Sequence, residues 1–358
     1  MAPGNPDDAR STRRWLPLAA GGALAVGGFL VGQWSAAVDS IPHDVAAEDI
    51  SAEEMEAALD HVIRVPLAFE RSRELIRLLE RLTPENIGGA LQVVAEHQEL
   101  WDPVDLQLLT SAWTAMDPIG AAEETQTWRP EIRSEVAFRL VIREWATGDR
   151  QLEAVEYVQT LPDERLYALA GGPLIRGWAL SGDGDYALEM ARLLWDSRTR
   201  LDVVDGYCRG VVQSEGPDRL LEIVEALDPA LEDPFDQRLA RIGLIVAAPL
   251  RPEAAAVLLS RLIPGDEERQ ARFEPVVPRI ASSWQEKGFE APADWLATLP
   301  SSRSRNNALA ALLRDWRASA PSEMGTWFEA SPLDPKLKGD LRRALAPRKA
   351  PEVEAEAS

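Results

Sequence analysis

The chain has 358 residues, 46% of them apolar and 27% charged, with a formal net charge of −21. That excess of carboxylates argues against a nucleic-acid binder, because phosphate attraction dominates such binding, and against adhesion of the folded part to an anionic membrane surface. Ala, Leu, Arg and Glu dominate, which favours helix, and the single cysteine, Cys208, excludes an intrachain disulfide.

Residues 1–14 form a polar N-terminus in which Arg10, Arg13 and Arg14 stand against Asp7 and Asp8. An uncharged run of 24 residues follows, 15–38, with its most apolar part at 16–31. A bilayer span needs about 20 residues, so the full run is long enough to cross. Segment 15–37 reads either as an uncleaved transmembrane signal anchor or as a signal peptide cleaved after Ser35-Ala36-Ala37. Both readings keep the arginines in the cytoplasm and send the rest across. The expected location is the bacterial inner membrane, single-pass, with the C-terminal part in the periplasm. Thr12-Arg13-Arg14-Trp15-Leu16 partly resembles a twin-arginine export signal, which Pro17 interrupts. Gly28 and Gly32 make a G-x-x-x-G pair, a possible route to a homodimer of spanning helices. Residues 38–50 are polar and read as a linker.

Helical patterning starts at Ser51-Ala52-Glu53-Glu54, a capping box. Met55, Leu59 and Val62 then share one helical face. Residues 67–81 and 87–97 read as an antiparallel helix pair around Thr83-Pro84. Later units carry Trp113 and Trp128, then Trp145 and Tyr157, then Trp178 and Trp195. Gly182-Asp183-Gly184-Asp185 reads as an inter-helix turn rather than a calcium loop, since the later ligands are missing. Residues 203–227 and 239–262 read as degraded copies, and Cys208 within the first as a small buried side chain. The two clearest copies are 269–300 and 303–332, where Trp284, Trp295 and Pro300 recur as Trp316, Trp327 and Pro332. Residues 347–358 read as a disordered acidic tail.

Prolines 130, 162, 229, 264, 300 and 332 are 32, 67, 35, 36 and 32 residues apart, the 67 being two periods. Proline inside a helix costs a hydrogen bond, so each is read as a hairpin exit. A Trp in the first helix and an Ala nine residues on, as in Trp145 and Ala154 or Trp284 and Ala293, would let a ring fill the space between hairpins while the second helix packs closely. A period of this length marks stacked two-helix modules. The predicted fold is all-α, a right-handed superhelical solenoid of about eight to nine hairpins over residues 51–346.

Period and hairpin design resemble tetratricopeptide-like and other α-solenoid repeat proteins. The unit at 145–165 and 284–303 (Trp, loop, Ala, Trp or Tyr, Leu-Pro, then Arg) is similar to repeats of bacterial envelope proteins. The tetratricopeptide opening Trp-x-x-Leu-Gly-x-x-Tyr is absent. The resemblance implies a binding scaffold and carries over no catalytic residue. The histidines His43, His61 and His97 have no ligand spacing, and no nucleophile elbow, phosphate loop or dinucleotide fingerprint is present. The expectation is therefore a non-enzymatic scaffold without cofactor or metal, facing the periplasm and binding a protein partner. The alternative is a cleaved, soluble periplasmic protein that binds or processes cell-wall glycan. Most of the twelve Trp fall at repeat-equivalent positions and read as core. Trp101 and Trp128 are the least regular, and are the candidates for exposure and partner contact.

Overall fold

The computed structural model describes residues 50–128, 131–195, 200–228, 230–263 and 267–345. The N-terminal segments 1–14 and 15–37 with Gly28 and Gly32, the linker up to residue 49, the tail 347–358 and Pro130, Pro229 and Pro264 lie outside the described residues. Among the described residues there are nineteen α-helices and no strand, and no helix is long and apolar enough to cross a membrane.

Helix α1 (Ala52–Ile63) opens on the expected capping box. Ser51 Oγ accepts from Glu54 N at 3.2 Å, and Ser51 N donates to Glu54 Oε2 at 2.8 Å. Losing such a cap costs about 1 kcal/mol. Met55, Leu59 and Val62 are buried on one face, as the spacing required. Next come α2 (Ala68–Leu79) and α3 (Ile87–Glu96), followed by a short 3-10 turn at Gln98–Leu100. The expected pairing of these two helices does not form: α3 packs chiefly against α1. Gly89 allows it, because a Cβ there would lie 2.0 Å from the carbonyl oxygen of Ala52.

Seven hairpins follow among the described residues. They are α4 (Pro103–Met116) with α5 (Pro118–Thr125), α6 (Glu131–Thr147) with α7 (Gln151–Thr160), α8 (Glu164–Leu180) with α9 (Gly184–Leu193), and α10 (Arg200–Ser214) with α11 (Pro217–Glu225). Then come α12 (Pro234–Ala247) with α13 (Pro252–Leu262), the short α14 (Glu267–Phe273), α15 (Val276–Gln285) with α16 (Glu290–Thr298), α17 (Arg303–Ser319) with α18 (Pro321–Ala330), and finally α19 (Pro335–Leu345). The number falls short of the eight to nine expected because α1–α3 form no regular hairpin and α19 is a single helix.

Proline has a second use that the sequence reading missed. Pro162, Pro300 and Pro332 do follow helix ends, after the caps at Leu161, Leu299 and Ser331. Pro103, Pro118, Pro217, Pro234, Pro252 and Pro321 instead open helices, where the missing N–H costs nothing. Asp102, Asp117 and Asp233 cap three of these starts by accepting from backbone N–H groups of the first turn. Pro275 lies between α14 and α15, inside the copy read at 269–300. At 182–185 the expected turn is present: Gly182 has φ +86° and Asp183 caps α9.

Contacts run between sequence neighbours. First helices touch in series, α2 to α4, α6, α8, α10, α12, α15, α17 and α19. Each second helix packs on its own first helix, and those from α5 to α16 also pack on the first helix that follows. Between them run recurring pairs: Trp145 with Tyr157 at 5.2 Å, Trp178 with Tyr186 at 5.1 Å, and Trp316 with Trp327 at 5.8 Å between ring centroids. Ala154, Ala187 and Ala293 are fully buried, as their small size required. Successive second helices are also joined. Trp295 Nε1 donates to Ser260 Oγ at 3.0 Å and Trp327 Nε1 to Asp294 Oδ1 at 2.7 Å, across 35 and 33 residues.

The middle hairpins meet through glycine. A Cβ at Gly206 would lie 2.1 Å from Gly172 O, and one at Gly177 would lie 2.2 Å from Arg143 O. Gly210 faces Ala179 Cβ at 2.5 Å on the same terms. The pair Gly206 and Gly210 is thus a G-x-x-x-G motif that sets α10 directly on the backbone of α8. Cys208 between them is fully buried, as expected, and burial pushes its thiol pKa up, so it is protonated and inert.

Candidate functional site

A groove of about 570 Å³ opens at the turn between α15 and α16. Its shape follows from Lys287-Gly288-Phe289. Lys287 N donates to Trp284 O at 2.9 Å and Gly288 N to Gln285 O at 3.0 Å, which closes α15. Gly288 has φ +138°, a conformation that side chains with a Cβ rarely take. The chain then reverses and lays Phe289 on Trp316 of the next hairpin, rings stacked at 5.9 Å and 8°. Trp284 leans on Trp295 at 6.1 Å. Offset ring pairs of this kind contribute about 0.5–1.5 kcal/mol beyond their buried area, which favours this arrangement of the aromatic floor.

The rim is acidic. Glu253 comes from α13, Glu290 and Asp294 from α16, and Glu323 from α18, against Lys287, the one cation among the described residues that line it. Three successive hairpins therefore supply four carboxylates to one groove. Asp294 is held in place by the Trp327 indole N–H at 2.7 Å. Trp284 and Phe289 are half-buried, while Trp316 is 4% exposed and acts mainly as support. Rings beside carboxylates attract a guanidinium or ammonium group by cation–π and ionic contact together. Among the described residues no group of three or more His, Cys, Asp or Glu is placed to hold a metal ion.

Exposure expected of Trp101 and Trp128 is corrected. They are 4% and 8% exposed and belong to the core. Trp101 directly precedes the cap Asp102, where an apolar residue is drawn against the helix's first turn. Neither ring contributes to the groove. Trp284 and Trp316, read as core, do line it; Phe289 and the four carboxylates were not singled out at all. The available signal was local: a lone Phe directly after a turn glycine, between Lys287 and Glu290, has no helical period to bury it.

Comparison with known proteins finds no matching family model, no matching curated protein and no matching solved structure.

Proposed function

We propose that the chain is a helical-repeat scaffold, tethered to the bacterial inner membrane by residues 15–37 with its helices in the periplasm, that binds a protein partner. The supporting observation is the groove at Trp284, Phe289 and Glu290, whose rings and surplus carboxylates suit a lysine or arginine side chain of that partner. Neighbour-to-neighbour helix contacts support a solenoid, an architecture that presents such surfaces at its turns. A photo-crosslinking residue at Phe289, activated in intact cells, tests the reading. A discrete adduct with one protein, lost when Glu290 and Asp294 become Lys, is the expected result. No adduct, or an adduct unaffected by the charge reversal, would overturn it.

A second reading, a soluble periplasmic protein that binds or processes cell-wall glycan, is favoured by the same rings, since sugars also stack on Trp and Phe. Retention of the protein by purified peptidoglycan, abolished by Trp284→Ala, would select it over the first.

A further inference from the structure

The first helices carry a second surface of opposite sign. Arg143 on α6, Arg176 on α8, Arg209 on α10 and Arg241 on α12 follow one another at 33, 33 and 32 residues. Arg139 and Arg238 lie one turn away on the flanking helices of this series. The charges of Arg143 and Arg209 both bear on Arg176, and that of Arg241 bears on Arg238. Burial first, and then those like charges, lower the Arg176 pKa to about 10.

Elsewhere the chain neutralises its arginines across hairpins. Arg251 meets Asp218 at 2.8 Å, Arg219 meets Asp185 at 2.9 Å, and Arg261 meets Glu225. Those pairs lie on or just before second helices. Within the row itself the balance fails. Arg139 has Asp202 at 2.9 Å, Arg143 has its own neighbour Glu144, and Arg209 has Asp205 at 2.7 Å. Among the described residues, Arg176 donates only to the neutral amide of Gln213, at 3.0 Å. The Nε atoms of Arg176, Arg238 and Arg241 are buried with no hydrogen-bond partner. Among the described residues, six guanidinium groups of the row thus pair with three carboxylates, in a protein whose total charge is −21. Crowding like charges and leaving donors unsatisfied both cost stability, so packing alone is a poor reason for the row.

We propose that this arginine row docks an extended acidic segment of a partner protein, with successive carboxylates meeting Arg143, Arg176, Arg209 and Arg241. Packed helices stand about 8–10 Å apart and an extended chain advances about 3.3 Å per residue. The matching segment therefore carries Asp or Glu at about every third position over about ten residues. A guanidinium suits each carboxylate through its terminal Nη groups; the Nε–H groups of Arg176 and Arg241 are buried and face the packed helices instead. The inference rests on the protein-binding reading but not on the groove at Phe289.

The test uses the full chain in detergent and fluorescence anisotropy. The probe is a labelled peptide of four Gly-Ser-Glu triplets, compared with a peptide of the same composition whose Glu residues are contiguous, with a Gly-Ser-Lys version, and with oligo-dT of similar length. The triplet peptide is expected to bind, and to bind at least about fivefold more tightly than the contiguous one, by the spacing argument. Raising salt from about 50 to 300 mM should weaken it strongly. Arg176→Gln with Arg241→Gln should weaken it about tenfold or more, with the helical circular-dichroism signal unchanged. Arg209→Gln, at a side chain 54% exposed, is the second variant and should also weaken binding should the double variant misfold. Glu290→Lys in the groove should leave peptide binding intact, so failure of one surface is separable from failure of the other. Equal binding of the spaced and contiguous peptides, equal binding by the variants, or binding of the Lys peptide overturns the proposal. Tighter binding of oligo-dT than of the triplet peptide overturns it in favour of a nucleic acid.

Discussion

Two stretches of the same repeat fill the space between hairpins in opposite ways. From α6 to α10, glycines remove side chains so that backbones touch: Gly172 meets Gly206, and Gly177 meets Arg143. From α15 to α18 the hairpins meet through rings instead: Phe289 stacks on Trp316 of the next hairpin, and the Trp295 and Trp327 indoles donate to Ser260 and Asp294 of the preceding one. The residues one and two periods after Trp178 are Val211 and Leu244, both fully buried. A single period therefore tolerates either a ring or direct backbone contact at its seam, provided nothing is left empty. The ring-filled stretch leaves an open groove at its turns, whereas the glycine stretch brings arginines of adjacent helices close enough to repel.

Substitutions that swap the two solutions should hurt most. Trp316→Ala removes the ring that supports Phe289 and Trp327, and should lower unfolding free energy by about 4 kcal/mol in urea titration. Gly206→Ala puts a methyl group against Gly172 O, and should cost about 3 kcal/mol because a backbone rather than a flexible side chain must yield. Trp327→Phe keeps the packing but leaves Asp294 without its donor, for a loss of about 1–2 kcal/mol in the same measurement.

A third kind of seam, between α2 and α4, is held by charge. Arg71 Nε donates to Asp105 Oδ2 at 2.8 Å and its Nη2 donates to Asp102. Burial first, then the Asp102 charge, raise the Asp105 pKa from 3.8 to about 6, against the pull of Arg71. A carboxyl whose folded pKa is raised binds its proton more tightly in the native state. Its penalty is therefore full above pH 6 and is relieved as pH falls through 6 towards 4. Relative to Asp105→Asn, the natural chain should gain about 1–3 kcal/mol on going from pH 7 towards pH 4, read from urea midpoints at each pH. The smallest effect belongs to Gly325, within α18, where a Cβ would meet nothing within 4 Å. Gly325→Ala should raise stability by up to about 1 kcal/mol, the opposite sign to Gly206→Ala in the same assay.

The hairpin period was legible because it rests on residues with few alternatives. Trp145 with Ala154, Trp284 with Ala293, and Leu-Pro at helix exits are large, small and helix-breaking by chemistry alone. What stayed hidden depends on partners distant in sequence. Gly89, Gly172 and Gly206 look like ordinary helix weaknesses until the backbone opposite each is known. Pro103 and Pro234 read as stops unless the preceding Asp is recognised as a cap. Of the groove, the two Trp were visible as repeat positions, but not that a turn glycine would bring Phe289 beside them. The arginine row shares the hairpin period, yet basic residues are so frequent here that only the unsatisfied Nε atoms set it apart.

Because helix contacts run chiefly between sequence neighbours, the molecule has a mechanical grain. Pulled from its two ends, it should peel hairpin by hairpin rather than rupture at once. Each released module of 32–36 residues would lengthen the tether by about 100 Å. The interlocked glycine seam of α8 and α10 should be the last to let go, so a force trace would show its tallest peak there.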